Sequence, residues 1–115
     1  MKRLLLVCLI TAGIFAATAP QITKGPVVEF SGDQSAIITW TTNSNGKSLV
    51  HYGLNAQDLS ETAESANRWN PNLPYMVHRV LMVHLKPATT YYYVVESAGA
   101  KSTVYQFTTR SSSRH

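Results

Sequence analysis

Four histidines, His51, His78, His84 and His115, are the residues of this chain best suited to binding a metal or moving a proton. A metal ion needs several ligands converging on one point. His78 and His84 have the same parity along one apolar, β-forming stretch, and six extended residues hold them about 20 Å apart. They cannot share an ion in that geometry. His51 alternates outward from Val50 and Tyr52, and His115 lies in a polar tail. Spacing leaves open a site assembled between His51 and His78, but single histidines with structural or surface roles demand less of the fold. No metal ligand set, cofactor or catalytic residue is assigned.

Other chemistries find less support. Serines are plentiful, yet the chain has no Gly-x-Ser-x-Gly elbow, and no motif positions a His/Asp pair beside a serine. It has no glycine-rich phosphate loop, no Arg-Gly-Asp tripeptide and no Asn-x-Ser/Thr sequon. Lysines and arginines are scattered singly, without a run that could track a phosphate backbone, which argues against a nucleic-acid partner. One aromatic-polar cluster remains, Trp69 with Asn67, Asn70, Asn72 and Tyr75. Rings flanked by amides can stack on and hydrogen-bond a sugar or a partner protein, so Trp69 and Tyr75 are the candidate contacts. The bland alternative is a loop tryptophan folded back over the end of the domain.

These residues must be positioned by strands. Ser35 to Thr42 alternates, with Ala36, Ile38 and Trp40 on one face and Ile37, Thr39 and Thr41 on the other. Asn43 to Gly46 breaks the pattern with turn residues, and Leu49 to Tyr52 resumes it until Gly53. Gly25 to Phe30 reads as a first strand, with Pro26 suited to an edge. Leu54 to Asn67 is more polar, with a weak helical or strand reading and a short edge strand at Thr62 to Ser65. Asn70 to Pro74 is a loop, because two prolines remove donors. Tyr75 to Leu85, Tyr91 to Glu96 and Thr103 to Thr109 supply the rest. The expectation is an all-β, immunoglobulin-like sandwich of about seven antiparallel strands. Between the last long strands, Leu85-Lys86-Pro87-Ala88-Thr89-Thr90-Tyr91 has the form of a tyrosine corner, in which the Tyr91 hydroxyl bonds back to the corner backbone.

With these pieces in order, the chain resembles a fibronectin type III domain. More closely, it is similar to the fibronectin-like N-terminal domain of purple acid phosphatases. The likeness rests on Gly25-Pro26, Ile38-Thr39-Trp40-Thr41, Tyr52-Gly53, His78-Arg79-Val80, the Leu85 to Tyr91 corner and Phe107-Thr108-Thr109. It covers residues 20–109. The resemblance implies that the Trp40 and Tyr52 strands lie in opposite sheets, so Asn45-Gly46 crosses the sandwich instead of closing a hairpin. It also favours Val80 and Met82 as the inward pair, with the face changing near His84 so that Leu85 points in. In that family the chemistry belongs to a second, metallophosphatase domain whose aspartate, asparagine, tyrosine and histidine ligands hold two metals. Gly32-Asp33 is a lone dipeptide without the later Gly-Asn-His and Gly-His-x-His elements, and reads as a turn.

Residues 1–19 have the layout of a secretory signal peptide: Met1-Lys2-Arg3, an apolar run from Leu4, and small residues at Ala17 and Ala19. About 16 apolar residues fall short of the roughly 20 needed to span a bilayer. Leu6-Val7-Cys8 lacks the small residue that precedes a lipidated cysteine. Removal of this leader takes the only cysteine and lowers the formal net charge from +4 to +2 by the loss of Lys2 and Arg3. The core must then hold residues 20–109 without a disulfide, and residues 110–115 form a disordered tail. The sequence therefore implies a secreted or periplasmic, non-catalytic module that binds a protein or glycan or acts as a spacer. The alternative is the N-terminal accessory domain of a truncated or split purple acid phosphatase, whose partner would be the metallophosphatase catalytic domain.

Overall fold

A computed structural model describes residues 19–112. Residues 1–18 of the expected leader, with Cys8, lie outside that range, as do the last three residues of the expected tail, with His115. Eight strands follow one another: β1 (Ile22–Ser31), β2 (Ala36–Thr42), β3 (Ser48–Gly53), β4 (Glu61–Ser65), β5 (Met76–Met82), β6 (Thr90–Ser97), β7 (Ala100–Lys101) and β8 (Tyr105–Thr108). They form two antiparallel sheets. One has the order β1-β2-β5, and the other runs β4-β3-β6, with β7 and β8 both paired to the far side of β6. Since β7 and β8 act as one interrupted strand, the topology is the expected seven-stranded sandwich.

Alternation decides what each sheet buries. Ala36, Ile38 and Trp40 of β2 point into the core, and so do Val80 and Met82 of β5. Tyr91, Tyr93 and Val95 of β6 face them from the other sheet, with Val50 of β3 and Phe107 of β8. Burying aromatic and branched residues at every second position gives each strand one apolar face, the main stabilising term for so short a chain. The segment from Asn43 to Lys47 carries β2 of the first sheet over to β3 of the second, so Asn45-Gly46 does cross the sandwich.

The corner is built as its sequence implies. Tyr91 is 6% exposed, and its hydroxyl accepts a bond from the Lys86 amide at 2.8 Å. Thr109 ties the corner to the end of the chain by donating to the Lys86 carbonyl at 2.6 Å and accepting from the Thr89 amide at 2.9 Å. Just upstream, His84 has φ 60, which breaks the β5 alternation and lets Leu85 turn inward. The tight β6–β7 connection uses φ 53 at Ala98 and φ 87 at Gly99, the left-handed pair that a two-residue hairpin requires.

Most strand boundaries differ from expectation by a residue, and three differ for a structural reason. β1 begins at Ile22, three residues early, because its register is broken three times and the irregularities let it follow β2 for ten residues. β5 ends at Met82, where pairing with β2 runs out at Ala36. β8 begins at Tyr105, since Ser102 leaves the ladder to place its hydroxyl against the Val95 amide at 3.0 Å. Leu54 to Ser60 forms turns with a single Asn55–Asp58 bridge and no helix, and β4 begins one residue before the expected edge strand. No helix among the described residues is long and apolar enough to cross a membrane.

Candidate functional site

The histidines divide by sheet face. His78 points inward from β5 with Val80 and Met82 and is 0% exposed. Its Nδ1 lies 2.8 Å from Ser48 Oγ and its Nε2 lies 2.7 Å from Thr42 Oγ1, while Ser97 Oγ is 3.3–3.4 Å from both nitrogens. The ring stacks on Trp40 at 5.2 Å and 14°. Thr42, Ser48 and Ser97 are themselves buried; His78 pins the two sheets together through the Ser48 and Ser97 hydroxyls of the opposite sheet and is held on its own sheet by Thr42 of β2. Ser48 donates on to Asn67 Oδ1 and therefore accepts the Nδ1–H of His78, while Thr42 has one proton for two acceptors, the Ser44 carbonyl at 2.8 Å and a neutral His78 Nε2 at 2.7 Å. Burial disfavours the charged form and holds the His78 pKa down to about 4.

A serine beside an imidazole has the form of an activated nucleophile. Here it has no carboxylate among its partners and no access to solvent, so it is a structural lock. His51 lies on the outer side of the other sheet, where its Nε2 is 2.7 Å from Glu96 Oε1 and its Nδ1 3.2 Å from Thr62 Oγ1. The open alternative of a joint His51–His78 site does not form, because the two rings sit on opposite faces of β3's sheet and both His78 nitrogens are taken. His84 is exposed at the corner. Among the described residues no group of three or more histidine, cysteine, aspartate or glutamate side chains is placed to hold a metal. Gly32-Asp33 is a turn, closed by a bond from the Gly32 amide to the Ser35 carbonyl at 2.8 Å.

The Trp69 loop uses part of its polar composition to shape itself. Asn67 Oδ1 accepts from the Arg79 amide at 2.9 Å, and its Nδ2 donates to the Arg79 carbonyl at 3.3 Å. That amide extends the β5 edge and anchors the loop. Asn70 Oδ1 accepts the Asn72 amide at 2.9 Å, which shapes the turn. Trp69 is half-buried and Tyr75 is exposed, so two rings are left, while the Asn67 amide and the Asn70 Oδ1 serve the loop.

Two surfaces that the sequence reading did not single out are more extensive. The outer face of the β1-β2-β5 sheet carries a cross-strand row, Phe30–Ile37–Leu81, set by register. Among the described residues, five of the ten exposed large hydrophobics belong to β1 and the β5 arm: Val27, Phe30, Val77, Leu81 and Val83. Outward parity with apolar residues was the signal available for it. In its middle, Arg79 forms a two-pronged pair with Glu29 at 3.0 Å and 3.0 Å, and Thr39 donates to the same carboxylate at 2.6 Å. These bonds hold the Glu29 carboxyl down to about 2. Around the edge from this face, a groove of about 690 Å³ opens between β4 and β5, with Tyr52, Leu81, Val83, Leu85 and Tyr91 among its lining.

Comparison with known proteins agrees with this architecture. The sequence profile of the family described as "Purple acid Phosphatase, N-terminal domain" matches residues 23–109. Acid phosphatase type 7 of Danio rerio is 32% identical over 109 residues, covering 89% of this chain; the chain spans 24% of that relative's length. Among solved structures, the sensor domain of the anti-sigma factor RsgI4 in Pseudobacteroides cellulosolvens aligns with TM-score 0.61 and 18% identity, covering 84% of this chain and 94% of that one. The fn3 domain of human contactin 1 aligns with TM-score 0.53 and 14% identity over 86% and 82% of the two chains. At these identities the structural likeness speaks for the fold.

Proposed function

The chain belongs to the purple acid phosphatase N-terminal domain family, and from that premise we propose that it is a non-catalytic accessory module that docks a metallophosphatase domain. The family match over residues 23–109 carries this reading. The outer face of the β1-β2-β5 sheet is the docking surface: exposed apolar rows of this kind mark interaction sites, and the central Glu29–Arg79 pair gives the contact a fixed orientation. The module positions the catalytic half and supplies none of its metal ligands.

Export through a leader at residues 1–19 belongs to the same reading, and rests on the basic start, apolar run and small exit residues. So does a secreted or periplasmic location, with no stable membrane span once the leader is removed. Contact with a protein or glycan through Trp69 and Tyr75 is a second reading. It is favoured only by the exposed Tyr75 ring, since the neighbouring amides serve the loop.

The direct test is a phosphatase assay on the purified 115-residue chain with added iron, zinc or manganese. Hydrolysis of an aryl phosphate at background level is expected. Metal-dependent turnover that follows the chain through purification would overturn the non-catalytic reading.

A further inference from the structure

We infer that the groove between β4 and β5 is a docking site for an extended cationic peptide segment with alternating apolar side chains, which adds a strand to the free edge of β4. This goes beyond the accessory-domain reading and needs no phosphatase partner. β4 ends its sheet on one side of the groove, and β5 ends the other sheet across from it. The β4 edge has no strand beyond it among the described residues, and the β5 edge, capped at Arg79 by the Asn67 side chain, flanks the same depression, whose lining is part apolar and part acidic. An unpaired edge offers backbone donors and acceptors to an incoming strand, and pockets beside it take alternate side chains.

Charge selects the occupant. The chain as a whole has ten lysines and arginines against six carboxylates, yet three of those six, Asp58, Glu61 and Glu64, line this groove. Among the described residues no lysine or arginine lines it. Glu64 meets Lys47 at 3.9 Å with both side chains more than half exposed, a contact that an incoming cation displaces at little cost. Tyr52 on the groove wall registers the local field: its phenol pKa is raised, first by burial and then by the nearby Glu61 carboxylate. The same carboxylates repel an acidic strand or another copy of the β4 edge, so they discriminate as well as attract. The volume of about 690 Å³ falls within the usual range of small-ligand and peptide-side-chain pockets.

The test is a nuclear magnetic resonance titration of the full chain with an acetylated Lys-Val-Arg-Val-Lys-Val-Arg peptide, beside its Glu-Val counterpart. Saturable shift changes are expected at the β4 amides and at Leu81 and Val83, with slowed amide exchange along Glu61 to Ser65. Raising salt from about 0.05 to 0.3 M weakens binding severalfold because the attraction is screened. The combined Asp58→Asn, Glu61→Gln and Glu64→Gln variant binds at least tenfold more weakly while keeping its unfolding midpoint. The salt series on the unaltered chain decides the matter should that variant not fold. Equal binding of the acidic peptide, salt-independent binding, or no groove shifts up to about 1 mM peptide would overturn the proposal.

Discussion

Lowering the pH from 7 to 4 should destabilise this domain chiefly through His78. In the folded chain burial holds its pKa to about 4, against an ordinary value of 6.5. Below pH 6.5 the unfolded chain takes up a proton that the folded chain refuses until about pH 4. The stability contributed by neutral His78 is therefore fully present above pH 6.5 and is lost as pH falls through that window. At about 1.4 kcal/mol per pH unit the loss is about 3 kcal/mol, a large part of the 5–15 kcal/mol that holds a typical domain folded. The assay is urea unfolding at half-unit steps from pH 7.5 to 4, for the native chain and for His78→Gln. Glutamine keeps a donor and an acceptor but does not titrate, so the difference between the two slopes isolates His78. Equal slopes would refute the reasoning. So would a His78 ring titration at or above 6.5. That result would mean that Thr42 turns its proton to the Ser44 carbonyl, 2.8 Å away, and that both ring nitrogens donate to hydroxyls as an imidazolium.

Tyr91→Phe keeps the buried ring but leaves the Lys86 amide without its acceptor. It should cost about 1 kcal/mol by chemical unfolding, whereas Tyr91→Ala should cost about 3–5 kcal/mol; a neutral Tyr91→Phe would remove the corner bond from the account. The Glu29 carboxyl should titrate with a midpoint near 2 by carbon-detected resonance, so its favourable pairing is present above pH 4.5 and lost as pH falls through 2. Arg79→Gln should return that midpoint toward 4.5, and an unmoved midpoint would show that the ion pair is not its cause. Trp69→Ala should cost about 1–2 kcal/mol, roughly half of a fully buried tryptophan truncation, because the ring is only partly covered. Tyr75→Ala, at an exposed ring, should cost less than about 0.5 kcal/mol. A Trp69→Ala variant of undiminished stability would show that the ring contributes no packing and stands free for a partner.

Much of the fold was legible because its strands alternate. Trp40 with Ile38, and Tyr91 with Tyr93 and Val95, announce one buried face each, and the Leu85 to Tyr91 corner names the junction between sheets. The polar lock was missed although the same parity places it: His78 falls in step with Val80, Ser48 with Val50, Thr42 with Trp40 and Ser97 with Val95. Four polar residues on inward positions, each modest alone, are explained only when the sheets bring them together. The outer apolar row was illegible for a different reason. Leu81 is far in sequence from Phe30 and Ile37, and the bulges of β1 set which of its residues face outward. The role of the Trp69 cluster was not legible, since an asparagine that closes a loop has the same composition as one that binds a ligand. Asn67 spends its amide on Arg79.

The central claim is that this chain is a docking module whose phosphatase chemistry resides in a separate domain. Its most direct test is to purify the tagged protein from its source cells and assay the bound material for metal-dependent phosphatase activity. The parallel sample carries Phe30→Glu and Val77→Glu on the outer sheet face. The expected result is activity that co-purifies with the native protein, belongs to a metallophosphatase domain identified by mass spectrometry, and falls at least tenfold with the folded double variant. A metallophosphatase domain that remains associated and active at the same level in the double variant would contradict docking through this face. Activity in the isolated 115-residue chain, or no metallophosphatase domain in the native material, would contradict the claim itself.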